Sequence, residues 1–263
     1  MTQPDNRADG FGVEFLGSPG SGKSTLANEF VRCAGSRVLT LRDAGHQALR
    51  RRLRASESPF ARVAAFATGA ALLRNVYPVT KYEVGAYNHF CARFPELSRA
   101  TWQLISTHSE DPVRMAKLGK LWFKHCSRYQ LITEQLGSAP DIVAPEGFLQ
   151  KAVSLVTYGI APTNDSNKEA LEHYLDLVPL PRVLIWVDVA PETTLTRLAG
   201  RERTAPYPFS ILSPDEQHRL LQHLREIQSR IVSLIEAKGV HVVVPGDRDT
   251  GDQLLHVIEG HRQ

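Results

Sequence analysis

An α/β fold is what this sequence predicts: three layers, with a five-stranded parallel sheet between helices and a large helical insert. Three observations carry that expectation. Short apolar runs alternate with helical patterns along the chain. The runs are continuously apolar, as strands buried on both faces are. A glycine-rich turn joins the first of them to a helix, and such sheets bind ligands at the carboxyl ends of their strands.

The elements follow in order. Phe11 to Leu16 is an apolar run ending at glycine, a first buried strand. Gly22 to Ala34 reads as a helix with Leu26, Phe30 and Val31 on one face and Gly35 beyond its end. Val38 to Leu41 is a second strand, broken by Asp43 and Gly45. From His46 to Gly137 the pattern is mostly helical, punctuated by Pro59, Pro78, Pro95 and Pro112. Asp141 to Ala144 is a third strand and Phe148 to Tyr158 a helix. Arg182 to Val189 is the most strand-like run, and Pro191 opens a helix to about Gly200. Ser213 to Lys238 is the clearest helix: Ser213 and Glu216 form a capping box, and Leu220, Leu224, Ile227, Ile231 and Leu234 recur at helical spacing. Val240 to Val244 is a fifth strand and Asp252 to Ile258 a last helix.

Composition excludes several classes. The 263 residues are 42% hydrophobic and 22% charged, enough for one soluble domain. A net charge of +3 permits a nucleic-acid partner but equally suits arginines gathered around an anionic ligand. Basic residues are not interleaved with aromatic ones strongly enough to predict a nucleic-acid surface. Cys33, Cys91 and Cys126 are odd in number and widely spaced, which fits neither a disulfide framework nor a metal site. Residues 1–10 are polar, expected to be disordered, and unlike a signal peptide. No uninterrupted run of about 18 apolar residues is present to span a membrane. A cytoplasmic protein without a membrane partner is expected.

Gly17-Ser18-Pro19-Gly20-Ser21-Gly22-Lys23-Ser24 matches G-x-x-x-x-G-K-[ST] at every position, with a strand before it and a helix after it. Glycines let backbone amides turn toward an anion without a side chain in the way. The helix that follows, with Thr25 in its first turn, aims unsatisfied N–H groups and its positive end at a phosphate. Lys23 is placed to reach the β and γ phosphates, and Ser24 to offer its hydroxyl to Mg²⁺. The bland alternative is a glycine turn that binds nothing. The motif predicts ATP or GTP binding as the magnesium complex, and a P-loop NTPase fold, but no particular reaction.

Over its strands and their loops the chain resembles the P-loop nucleoside and nucleotide kinases, thymidylate kinase most of all. Besides the phosphate loop, the resemblance rests on Arg42-Asp43 with Gly45, on Pro145-Glu146-Gly147, and on Trp186 to Glu192 followed by Arg197, Arg201 and Arg203. It implies that Arg42 and Asp43 face an acceptor and that Glu146 serves the acceptor hydroxyl or the magnesium. It implies that Arg201 and Arg203, in a lid at 197–212, neutralise the transferring phosphoryl group. Arg197 would lie against the adenine, which Pro245 and Gly246 would also hold. The sequence departs from the family at Gly147, where an arginine is expected to grip the acceptor. Arg50 and Arg54, one turn apart, are candidates to replace it, although such runs are usually solvated surface.

The residues leave two other readings open. Glu146 could simply cap the next helix, and the arginines could be a solvated helix end. Tyr77, Tyr82, Tyr87, Trp102, Trp122, Phe123 and Tyr129 could line an acceptor pocket within the insert at 46–137, or be core. The expected function is an ATP- and magnesium-dependent kinase for a nucleoside, a nucleotide or another hydroxyl-bearing small molecule, within a single domain at 11–263. The alternative is a hydrolytic switch or assembly protein, and a nucleic-acid end kinase comes third. The apolar seam of 213–238 could serve the sheet or, in a homodimer, a second copy.

Overall fold

A computed structural model describes residues 10–58, 62, 80–108, 110–137, 141–157, 165–200, 208–246 and 250–260. Five short apolar segments pair in parallel: β1 (Val13–Gly17), β2 (Val38–Thr40), β3 (Asp141–Ala144), β4 (Val183–Val187) and β5 (His241–Val243). Their order is β2-β3-β1-β4-β5, so β1 is central and its carboxyl end opens between β3 and β4. The register pairs Glu14 with Ala144 on one side and Leu184 on the other. Because β1 runs on past the end of β3, the loop after Gly17 stands above the loop after Ala144.

Strand residues alternate between two cores. Val13, Phe15, Val143, Val183 and Ile185 point to one face, which α1 (Lys23–Ala34) and the C-terminal helix (Gly251–Gly260) cover with Phe30, Leu254 and Ile258. Leu16, Ile142, Ala144 and Leu184 point to the other, larger core. That face is covered by α2 (Leu41–Arg54), α3 (Thr80–Arg93), α4 (Pro95–Ser106), α5 (Pro112–Leu136), α6 (Phe148–Thr157), α7 (Asp165–Leu177) and α9 (Pro214–Glu236). Between them in sequence, α8 (Pro191–Ala199) follows β4, and the C-terminal helix is α10.

Local chemistry accounts for the helix ends. The Ser213 hydroxyl accepts from the Glu216 amide, and the Glu216 carboxylate accepts from the Ser213 amide, the capping box expected from the sequence. The Asp111 carboxylate accepts from the Arg114 amide to open α5, and Gly137, with φ of 67°, closes it.

One expectation is overturned. Asp43 and Gly45 do not break the chain after β2, because α2 begins at Leu41 and runs through both. Thr40 is its cap: the Thr40 hydroxyl accepts from the Asp43 amide at 3.0 Å and donates to the Asp43 carboxylate at 2.7 Å. Asp43 is thus a first-turn acid that complements the helix dipole. Gly45 is tolerated inside the helix because the Arg128 stem lies over it, 3.4 Å from where a β-carbon would stand. A further helix, α7, was not anticipated; it buries Leu171, Tyr174 and Leu175 in the larger core. Trp122 and Tyr129 are also core residues, whereas Trp102 is exposed and donates to the Tyr87 hydroxyl, whose ring packs on Phe123. Tyr77 and the Tyr82 side chain lie outside the described residues, as do Pro59, Pro78 and residues 1–9.

Candidate functional site

The phosphate loop occupies the carboxyl end of the central strand. Gly20 and Gly22 have φ of 91° and 94°, a conformation that side-chain-bearing residues rarely adopt. Gly17 is required for a different reason: a β-carbon there would stand 2.7 Å from Ser21 Oγ and 3.0 Å from the Val187 carbonyl oxygen. The first turn of α1 has no side-chain cap and no acidic residue, which leaves its amides and positive end to an anion. Ser24 and Thr25 are exposed in that turn, and Lys23 is half-buried beside them.

Three helices hold this loop from behind. The Gly17 amide donates to Gln150 Oε1 of α6 at 3.1 Å. Gln228 of α9 donates to the Ser18 hydroxyl at 3.2 Å and accepts from the Trp186 indole. Arg197 of α8 donates to the Ser21 carbonyl oxygen at 2.9 Å. Arg197 is therefore brought onto the loop, through its backbone. Pro19 faces a small cavity of about 110 Å³ shared with Gln150, Phe209 and Gln228.

Across from the loop, Glu146 follows β3. Its carboxylate accepts from Lys151 at 2.8 Å. Desolvation pushes the Glu146 carboxyl upward, but Lys151, its hydrogen bond and the nearby Lys23 outweigh that push and hold it below the ordinary carboxylate value. Yet 61% of the side chain is open to solvent. Lys23 and Glu146, predicted as site residues from separate loops, are brought together here.

Glu14, on β1, explains the departure at Gly147. Its carboxyl is buried and accepts from the amides of Leu149 at 2.6 Å and Gln150 at 3.1 Å, in the first turn of α6. A β-carbon on Gly147 would stand 2.2 Å from the Glu14 carboxyl carbon, so no arginine fits at 147. Burial pushes the Glu14 carboxyl up to about 8, against the opposing pull of the Gln150 and Leu149 amides, Lys151 and the Phe148 amide.

On the β2 side, Arg42 and Asp43 sit in the first turn of α2. Arg50 lies two turns on, and Arg54 stands about 18 Å along the helix from Arg42, too far to share one small ligand with it. The cation that joins Arg42 comes instead from α5. Arg128 crosses Gly45, and Arg42, Arg50 and Arg128 are all near enough to act on His46. Desolvation is the largest influence holding the His46 imidazole below its ordinary value; Arg42 adds to it, Asp43 opposes it, and Arg128 and Arg50 reinforce it. Neither Arg42 nor Arg128 forms a salt bridge among the described residues.

Pro245 and Gly246 lie just past β5 at the same end of the sheet. Arg201 and Arg203 lie outside the described residues. Asp188, after β4, is held by a bidentate pair with Arg225 of α9, both contacts 2.7 Å. A groove of about 1100 Å³ opens between α7, α9 and the start of α8, lined by Glu172, Trp186, Arg225 and Arg230. None of the loop residues lines that groove. Glu14, His46, Arg128, Gln150, Lys151, Arg225 and Gln228 were not anticipated. Only Glu14 left a signal, as a carboxylate within a buried apolar strand.

No family model matches the chain, and no curated protein matches it. Among solved structures, it is similar to a deoxyadenosine kinase from M. mycoides with bound dATP. The two share 13% identity at a TM-score of 0.48, over 95% of this chain and 99% of that one. The same enzyme with bound dCTP matches at 12% identity and a TM-score of 0.44, over 95% of this chain and 97% of that one. The functional reading rests on the site itself.

Proposed function

We propose that this chain is an ATP- and magnesium-dependent kinase that transfers the γ-phosphate to a hydroxyl-bearing small molecule. The observation that carries the reading is Lys23, on a strapped and uncapped phosphate loop, standing near enough to Glu146 for its charge to lower the Glu146 carboxyl. Phosphoryl transfer asks for positioning and charge more than for covalent chemistry. Residues 17–25 fit an ATP triphosphate, with Lys23 on its terminal phosphates. Ser24 and Glu146 fit a magnesium ion, which when bound would neutralise phosphate charge. Because Lys151 and Lys23 keep Glu146 ionised, its role is that of a charged ligand or hydroxyl-orienting group more than a strong base.

The acceptor lies on the β2 side, between Arg42 with Asp43 and Glu146. Arg42 and Arg128, neither in a salt bridge among the described residues, favour an acceptor that carries an anionic group besides its hydroxyl. Nucleoside monophosphates satisfy that chemistry. Arg201 and Arg203, in a lid at 197–212, complete the charge around the transferring group, with Arg197, Pro245 and Gly246 on the nucleotide. Among the described residues, no helix is long and apolar enough to cross a membrane. The hydrolytic reading drew support from Gly147, and that departure has a local steric cause in Glu14.

The test is ADP release from ATP and magnesium against nucleosides, nucleoside monophosphates, sugars and aromatic alcohols. Acceptor-dependent release, abolished in Lys23→Ala and lowered in Glu146→Gln, is expected. Equal release in every well would establish the hydrolytic reading instead. Unchanged turnover in Arg201→Ala with Arg203→Ala would remove the lid from the mechanism.

A further inference from the structure

Two loops must keep a fixed separation for the proposed chemistry: the phosphate loop after β1 and the acid loop after β3. They belong to strands that end at different heights, and nothing covalent joins them near the site. Glu14 and Gln150 bridge that gap. Glu14 projects from β1 onto the first turn of α6, where it accepts from the amides of Leu149 and Gln150. It fills the space beside Gly147, directly after Glu146. Gln150, on the turn that Glu14 anchors, reaches back to accept from the Gly17 amide at 3.1 Å.

We infer that Glu14 and Gln150 are positioning residues acting as one relay, which locks the acid loop and the first turn of α6 to the phosphate loop. The inference rests on the kinase reading for its purpose, but its geometry concerns nucleotide binding alone. The Gly17 amide is spent on Gln150, so Gln150 sets the peptide plane from which the loop departs. Glu14 sets where Gln150 stands. Neither residue is among those proposed to hold the nucleotide.

A double-mutant cycle read as ATP–magnesium affinity in the full chain, by calorimetry, tests this. A net hydrogen bond is worth a few-fold to about tenfold in an equilibrium constant. Gln150→Ala and Glu14→Ala are each expected to weaken binding about fivefold. The double variant is expected to be no weaker than the worse single one, since both break one path. Glu14→Gln keeps an acceptor oxygen and is expected to bind within about twofold of the parent. A merely structural cap would lower the melting temperature of Glu14→Ala without changing affinity. Fully additive losses, or unchanged affinity in Gln150→Ala, overturn the relay. If Glu14→Ala does not fold, Gln150→Ala alone decides, because the Gln150 side chain gives the loop one hydrogen bond. A parent chain that binds no nucleotide overturns the kinase reading and the relay with it. A parent that binds nucleotide, with additive or silent variants, overturns only the relay.

Discussion

Single residues of this site act through what they exclude as much as through what they contact. Glu14 keeps a side chain off Gly147, and the same burial makes it a titrating element. Its folded pKa of about 8 lies above the ordinary carboxylate value of 4.5, so the folded chain holds a proton that the unfolded chain releases. Stability is therefore undiminished below the unfolded value, falls as pH rises across the interval by at most about 1.4 kcal/mol per pH unit, and levels off above the folded value. Glu14→Gln does not titrate. Its melting temperature minus that of the parent is expected to climb from about pH 5 to pH 8 and then stay flat; a constant difference would show that Glu14 is ionised throughout. Gly147→Ala is expected to destabilise by about 3 kcal/mol, since the new carbon meets the Glu14 carboxyl at 2.2 Å. Chemical denaturation of this variant beside Glu14→Ala with Gly147→Ala checks the cause, because removing the carboxyl should restore part of the loss. The motif residues Lys23 and Ser24 were legible in the sequence because a phosphate cradle needs fixed residue types at fixed spacing. Gln150, Arg128 and Gln228 were not, because a glutamine or arginine on a helix has no pattern until packing shows what it faces.

At the scale of elements, caps and amide straps set the geometry. Thr40 starts α2 by accepting from Asp43, and this pair decides that Arg42 sits in a helical turn. Thr40→Ala is expected to cost about 1 kcal/mol, seen in denaturant titration as a shifted midpoint with an unchanged slope. It should also raise the Michaelis constant for the acceptor more than that for ATP, as Arg42 loses its placement. The helix from Ser213 was legible because its capping box and apolar period are local. The start of α2 was misread because a glycine and an aspartate near a strand end resemble a turn by composition. Packing of Arg128 over Gly45 overrides that propensity.

For the whole molecule, the central strand supports everything. β1 feeds the phosphate loop, carries Glu14 to α6, and divides the two cores. A ligand that binds only the folded chain stabilises it by mass action. ATP with magnesium at about a hundred times its dissociation constant is expected to add about 2.7 kcal/mol. That should raise the melting temperature by several degrees, and Lys23→Ala should abolish the rise. A parent chain that melts at the same temperature with and without ATP and magnesium would remove nucleotide binding from the account.

The sequence by itself determined the α/β class, the five strands and the glycine loop after the first of them. Each of these depends on residues within a few positions of one another, where apolar period, glycine conformation and capping act directly. Tertiary structure alone decided why Gly147 departs from the kinase pattern, which cation joins Arg42, and what straps Gly17, Ser18 and Ser21 in place. Those depend on partners far apart in the chain, such as Glu14 with Leu149 or Gln228 with Ser18. Only the packing of helices on a shared sheet brings them within hydrogen-bonding distance.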